Sequence, residues 1–497
     1  MKDSLAQVEG AAVAIAADAE VEAAKAYAAA SRAPGTRRAY AADWRGFRAW
    51  CEARGATPLP ADPRLVAVFL AAEAARGCAP STIGRRLGVT PQNGVLGQGD
   101  RIWVWVDGWV GCCVGACGVV LVREACCAPL EDRLEPFAAC WDDLADPRSG
   151  NAGLHDFHEL LMIALCAVLC GGQGAVDMAR FAREKEGFLR GFLRLANGPP
   201  SHDTFSRLFR QLDPDQFQAA FQRFTSRFSR QCQGVVAIDG KVLRRSFDRA
   251  SGRSALHMVS AWGCEQRLVL AQVATDAKSN EITAVPKLLA ILSLRGATVT
   301  ADAINCQRAI AAQVVGQGGD YALALKGNQG TLHDDVVRFL DDPQSKLATY
   351  RPDVDAGHGR IETRTASVST DIAWLQDGHQ WPGLQAIGKV CRIRETAVGR
   401  TAEAAYYLLS APLTPERLNA VVRHHWEVEN RLHWRLDVVM NEDQDRTRLG
   451  HGPQNLAVLR HMALNAMQQE PSKDSLRGKL QRAAWNDTYL AKVLALI

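Results

Sequence analysis

Four apolar residues, Val235-Val236-Ala237-Ile238, run directly into Asp239-Gly240-Lys241. A continuous apolar run of this length marks a strand covered on both faces, as in the middle of an α/β sheet. The strand is expected to end at Asp239, where a bare carboxylate would be costly. The charge therefore needs a partner, either a metal ion or a substrate, and the remaining ligands must come from elsewhere in the chain.

A chain of 497 residues should hold two to four domains. With 47% hydrophobic and 23% charged residues it has the composition of a soluble globular protein. The net charge of +4 is mildly basic, with local density at Arg37-Arg38 and Arg244-Arg245. The amino terminus lacks a basic region followed by a compact apolar core, so a cytoplasmic location is expected. The 14 cysteines then read as reduced thiols rather than disulfides.

Residues 1–30 form an Ala-rich leader, helical or disordered. Residues 31–90 read as an all-α bundle: Thr36 can cap a helix carrying Tyr40, Trp44, Phe47 and Trp50, and further helices are expected around Leu65–Leu70 and after Pro80. Thr36-Arg37-Arg38-Ala39-Tyr40, with Trp44, Phe47 and Ser81-Thr82-Ile83, resembles the core-binding domain of tyrosine recombinases (phage integrases). The catalytic half of such enzymes has no visible counterpart, and a generic three-helix bundle is the plainer alternative.

Residues 91–128 hold neither a helical nor a strand period for long. Ile102 to Val122 is long enough to span a bilayer, but Asp107, several glycines and the lack of a flanking basic cluster argue against it. Cys112, Cys113, Cys117, Cys126 and Cys127 lack the paired spacing and the nearby His of a zinc site. The expectation is a junction, translated from DNA at the edge of an inserted element. Residues 129–225 then read as a helical domain, with a buried helix near His158–Cys170 and a turn at Pro200-Ser201-His202-Asp203-Thr204-Phe205. His202 and Asp203 fit a cap as well as they fit catalysis.

From 232 to 470 the order is strand, strand, strand, helix, strand, helix, strand. Asp239 lies on the first strand and Asp302 at the end of the fourth, Ala297–Asp302. This is the layout of an RNase H-like core, in which those two strands are neighbours. Adjacent carboxylates repel unless a cation lies between them, and Mg²⁺ is suited to such oxygen ligands. Glu429 is expected on the inward face of a helix with Val422, Trp426, Leu432 and Leu436. His425, Glu429 and His433, at i, i+4 and i+8, could alternatively hold zinc. Residues 331–410 read as a β-rich insertion, and 471–497 as a helical tail.

Six motifs in order carry a second resemblance: Ala237-Ile238-Asp239-Gly240-Lys241 with Arg244 and Ser246; Lys278-Ser279-Asn280-Glu281-Ile282; Asp302 with Cys306-Gln307; Leu325-Lys326-Gly327-Asn328-Gln329; His358-Gly359-Arg360-Ile361-Glu362-Thr363-Arg364; and His425-Trp426 with Glu429-Asn430. Over about 130–470 the chain resembles the DDE transposases of insertion sequences, specifically the H-repeat-associated group. The resemblance implies a triad of Asp239, Asp302 and Glu429 that is both catalytic and metal-binding, holding two Mg²⁺ ions with Mn²⁺ as a substitute. It also implies double-stranded DNA as partner (terminal inverted repeats and target), a homodimer on DNA, a nucleoid-associated location and no membrane. Candidate DNA contacts are Lys241, Arg244, Lys278, Lys326, Asn328, Gln329, Arg360, Arg364, His425 and His433, with Arg392 and Arg394 on the insertion. His425 stands where related families often place Arg. A nuclease without strand transfer and an inactive DNA-binding remnant are the rival readings.

Overall fold

The computed structural model describes residues 34–56, 68–69, 72–73, 76, 103–106, 109–112, 120–122, 139–228, 232–275, 281–350, 354–357 and 360–497. The leader 1–30, most of the further helices expected before 90, Lys278 and His358 lie outside them. The chain divides into two compact units, Met1–Ala128 and Pro129–Ile497.

In the first unit, α1 (Pro34–Glu52) begins at a proline, whose fixed φ suits a first helical turn. Its Phe47 and Trp50 are buried, with ring centroids 5.1 and 5.5 Å from that of Phe69. Strands β1 (Trp103–Val106), β2 (Trp109–Cys112) and β3 (Val120–Val122) form an antiparallel sheet. The sequence shows no strand period here because three or four residues are too few to display one.

The second unit opens with helices. In α2 (Phe157–Leu169), Phe157 and every residue from Leu160 onward are buried, and Asp156 caps the start by accepting from the Glu159 N–H at 3.0 Å. Then follow α3 (Ala175–Glu184), α4 (His202–Gln211) and α5 (Pro214–Ser226). Ser201 caps α4, and His202 and Asp203 stand exposed beside each other in its first turn, as a cap cluster would.

The sheet follows: β4 (Gly234–Val242), β5 (His257–Gly263), β6 (Leu268–Ala274), α6 (Glu281–Ala290), β7 (Ala297–Ala301), α7 (Arg308–Gly316) and β8 (Asp320–Leu325). β7 pairs in parallel with both β4 and β8, whereas β5 and β6 add antiparallel on the other side of β4. Val235 to Ile238 are fully buried, with apolar clusters on both faces of the sheet. β4 does not stop at Asp239. It stays paired to β5 as far as Val242, while its pairing with β7 ends at Ile238 opposite Ala301. Asp239 therefore sits where one neighbour has run out, and Asp302 is the next residue along that neighbour.

The segment 331–410 carries helices α8 (Thr331–Asp341) and α9 (Ala373–His379) and strands β9 (Ala348–Tyr350), β10 (Val354–Gly357), β11 (Arg360–Ser369), β12 (Ala386–Thr396) and β13 (Gly399–Leu409). β13 pairs antiparallel with β8, so the insertion continues the central sheet. The order is β10-β11-β12-β13-β8-β7-β4-β5-β6, with β9 beside β11.

Helix α10 (Pro415–His425) is capped by Thr414 and leads into two π-helical runs, Val428–His433 and Arg435–Val439. A π turn takes in an extra residue, and the inward face slips accordingly. Val421, Val428, Leu432 and Leu436 are buried, whereas Glu429, Trp426 and Trp434 are exposed, which corrects the expectation that Glu429 and Trp426 share the buried face. The chain closes with α11 (Gly452–Gln469), largely buried against α2 and α5, then α12 (Leu476–Trp485) and α13 (Asp487–Leu494). Among the described residues, no helix is long and apolar enough to cross a membrane.

Candidate active site

Asp239, Asp302 and Glu429 all line one cleft of about 730 Å³, with Thr300, Lys326, Arg364, Arg392, Arg423, His425, Trp426 and Asn430 among its other walls. Burial pushes the Asp239 carboxyl up to about 7, helped by the charges of Glu281, Asp302 and Glu429 against the pull of the Gly240 N–H. The Asp302 carboxyl is raised by burial and by Glu281, with Asn305 and Lys326 opposing. Carboxyls raised by burial and by neighbouring carboxylates mark a site short of positive charge. That donor set fits a divalent cation bound through oxygen. Among the described residues, no three His, Cys, Asp or Glu side chains already stand as a closed cluster.

Two histidines tie the helical segment to the strands. His425 Nδ1 is 3.0 Å from Thr300 Oγ1, two residues before Asp302. His433 Nδ1 stands 3.5 Å from Asp239 Oδ2. Burial drives both imidazoles down to about 4, so both are neutral at pH 7. Sequence reading assigned them to phosphate or Glu429; in the structure each faces a protein partner, Thr300 for His425 and Asp239 for His433.

Other expected DNA contacts are redirected too. The Lys241 ammonium lies 2.6 Å from both Asp437 and Glu442 and 3.6 Å from Asp443. Burial works against its charge, but Glu442 and Asp437 outweigh burial and raise its pKa. Arg460 pairs with Glu442 and Asp445 in the same buried network. Arg244 reaches Asp443 from the exposed side. Asn328 Nδ2 donates to the Ala303 carbonyl at 2.7 Å and Gln329 Nε2 to the Cys306 carbonyl at 2.6 Å. Those two amides brace the turn after Asp302. Lys326 remains exposed at the cleft.

The arginines gather on one wall. Arg364 and Arg392 are cross-strand partners on β11 and β12, and Arg423 stands near enough that its charge and that of Arg392, after burial, lower the Arg364 pKa. Each also has a carboxylate: Glu362 for Arg364, Glu403 for Arg392 and Asp355 for Arg423. Arg360 pairs with Glu362 as well.

Sequence reasoning did not single out the chemistry of Glu281, His257, Asn305, Arg423 or the Asp437–Glu442–Asp443 group. Only Glu281 carried a signal, an acidic residue opening a helix directly after a basic, polar loop. The others are brought in by tertiary packing.

The class of protein follows from comparison. The profile of the transposase DDE domain family matches residues 230–466, and that of the DDE_Tnp_1-associated family matches residues 138–225. The chain is 37% identical to the H repeat-associated putative transposase YhhI of Escherichia coli K12, over 69% of this chain and 93% of that one. It is 34% identical to the putative transposase YncI of Escherichia coli O157:H7, over 71% and 92% of the two chains. It is 47% identical to an uncharacterized protein from the dhlA 3′ region of Xanthobacter autotrophicus, over 51% and 86%. The chain belongs to the DDE transposase family. The two family profiles match residues 138–225 and 230–466, and residues 31–90 lie outside both.

Proposed function

We propose that the cleft is the active site of a DNA transposase with an RNase H-like core. It cuts at the terminal inverted repeats of an insertion sequence and joins the freed 3′-OH ends to target DNA. The observation that carries this reading is the meeting of Asp239, Asp302 and Glu429 on one cleft beneath an arginine-lined wall. Asp239 and Asp302, with Glu429, would hold the cation. A pair of Mg²⁺ ions, or Mn²⁺ in their place, would there supply activation of the attacking oxygen and stabilisation of the leaving one. The protein's own part is placement. Arg364, Arg392, Arg423 and Lys326 hold phosphates in register without reading sequence. Neutral His425 and His433 fix the helical segment that brings Glu429 to the strand ends. A homodimer on DNA would bring two transposon ends together.

The test is a labelled duplex of the terminal repeat that flanks the coding sequence, incubated with target DNA and Mg²⁺ or Mn²⁺. Joined products support the transposase, and cleavage alone indicates a nuclease. If wild type and Asp239→Asn are equally inert, the chain is a DNA-binding remnant.

A further inference from the structure

Glu281, the first residue of α6, takes no part in the triad yet sits against it. Its Oε1 lies 3.1 Å from His257 Nε2 on β5, and its Oε2 accepts from Asn305 Nδ2 at 3.0 Å. The same Asn305 nitrogen donates to Asp302 Oδ1 at 2.9 Å. Asn305 has no solvent exposure, and its Oδ1 has no partner among the described residues. A buried amide with its acceptor unpaired and its donor shared between two carboxylates is oriented by negative charge. Gly240 gives an independent sign. A Cβ there would lie 2.3 Å from Glu281 Oε1 and 2.5 Å from His257 Nε2, so this pair packs onto the backbone next to Asp239. The hydrogen bond from His257, and then that from Asn305, hold the Glu281 carboxyl below its ordinary range against burial, which keeps it ionised.

We infer that Glu281 is a fourth carboxylate of the centre and a positioning residue: through Asn305 it fixes Asp302, and its charge strengthens the hold of Asp239 and Asp302 on a divalent cation. This rests on reading the cleft as a cation-dependent phosphodiester site. Both Glu281 oxygens are already engaged, so its contribution is orientation and field rather than ligation.

Titration calorimetry with Mn²⁺ alone, on the full chain without DNA, tests it. Glu281→Gln keeps the shape and can still accept from Asn305; its amide nitrogen then faces His257 Nε2, which must become the acceptor, so the charge is lost and the hydrogen bond with His257 is reversed. The Mn²⁺ Kd should rise about tenfold, while the metal-free variant stays folded and melts slightly lower, because the depressed Glu281 pKa makes its charge stabilising in the native state. Asn305→Ala should weaken Mn²⁺ by a similar factor, and it replaces Glu281→Gln as the test if that variant fails to fold. Wild-type affinity in the folded variant, with binding lost in Asp239→Asn, overturns the inference and leaves the active-site reading intact. Wild-type affinity in Asp239→Asn as well overturns the active-site reading itself.

Discussion

Asp239 and Asp302 reach the cleft along strands, whereas Glu429 reaches it along a helix, and the two routes are secured differently. The strand pair is fixed by register. Ile238 lies opposite Ala301 in a parallel ladder, so the next residue of each chain is a carboxylate and the two cannot drift apart without breaking the sheet. Glu429 has no ladder. It sits in a π-helical run held by side chains: His425 on Thr300, His433 near Asp239, and Lys241 gripping Asp437 and Glu442. Backbone pairing specifies one half of the centre, and side-chain contacts specify the other.

The largest expected effect strikes both halves alike. Asp239→Asn, Asp302→Asn and Glu429→Gln should each lower strand cleavage at least about a thousandfold, as loss of a group acting on the transition state does, with DNA retention in a gel-shift assay intact. A Glu429→Gln enzyme that still cleaves would remove the helical half from the chemistry.

The side-chain route should be the more fragile to single substitutions. Lys241→Met leaves buried carboxylates without their cation, a change that typically costs about 3–5 kcal/mol, readable as a lower midpoint in urea. An unchanged midpoint would mean that Glu429 is placed by something other than this network.

The strand pair has a cost of its own, visible in pH. The folded Asp239 carboxyl, at about 7, holds a proton that the unfolded chain releases near the ordinary 3.8. Between those values the native state binds more protons, so metal-free stability falls as pH rises from about 4 to 7. Asp239→Asn should therefore melt higher than wild type at pH 8, by on the order of 1–3 kcal/mol, with the gap closing toward pH 4. Equal melting at both pH values would show that the pair is not strained. The smallest effect belongs to the wall. Arg392→Ala should weaken DNA binding about threefold to tenfold and reduce the salt dependence by about one counterion.

This contrast also explains what the sequence disclosed. The strand order, and with it the adjacency of Asp239 and Asp302, could be read because buried strands announce themselves as apolar runs such as Val235–Ile238 and Tyr321–Leu325. Glu429 was found by its motif, but its face was derived from an unbroken 3.6-residue period; the regular helix ends at His425, and both Trp426 and Glu429, expected inside, lie exposed. Lys241 looked like a phosphate ligand because its three acidic partners, Asp437, Glu442 and Asp443, lie about 200 residues away, as the Lys241–Glu442 separation of 201 shows. Asn328 and Gln329 misled in the same way, since an amide's partners are invisible until the turn beside it is folded.

The joining of β13 to β8 has a mechanical side. β10 to β13 belong to the same hydrogen-bonded sheet as β7, the strand that ends at Ala301, one residue before Asp302. Stress applied at the far edge, near Arg360 and Arg364, passes through backbone bonds rather than through a hinge. A duplex pressed against that edge would load the strands that carry Asp239 and Asp302 directly, as weight on the end of a plank bears on its clamp.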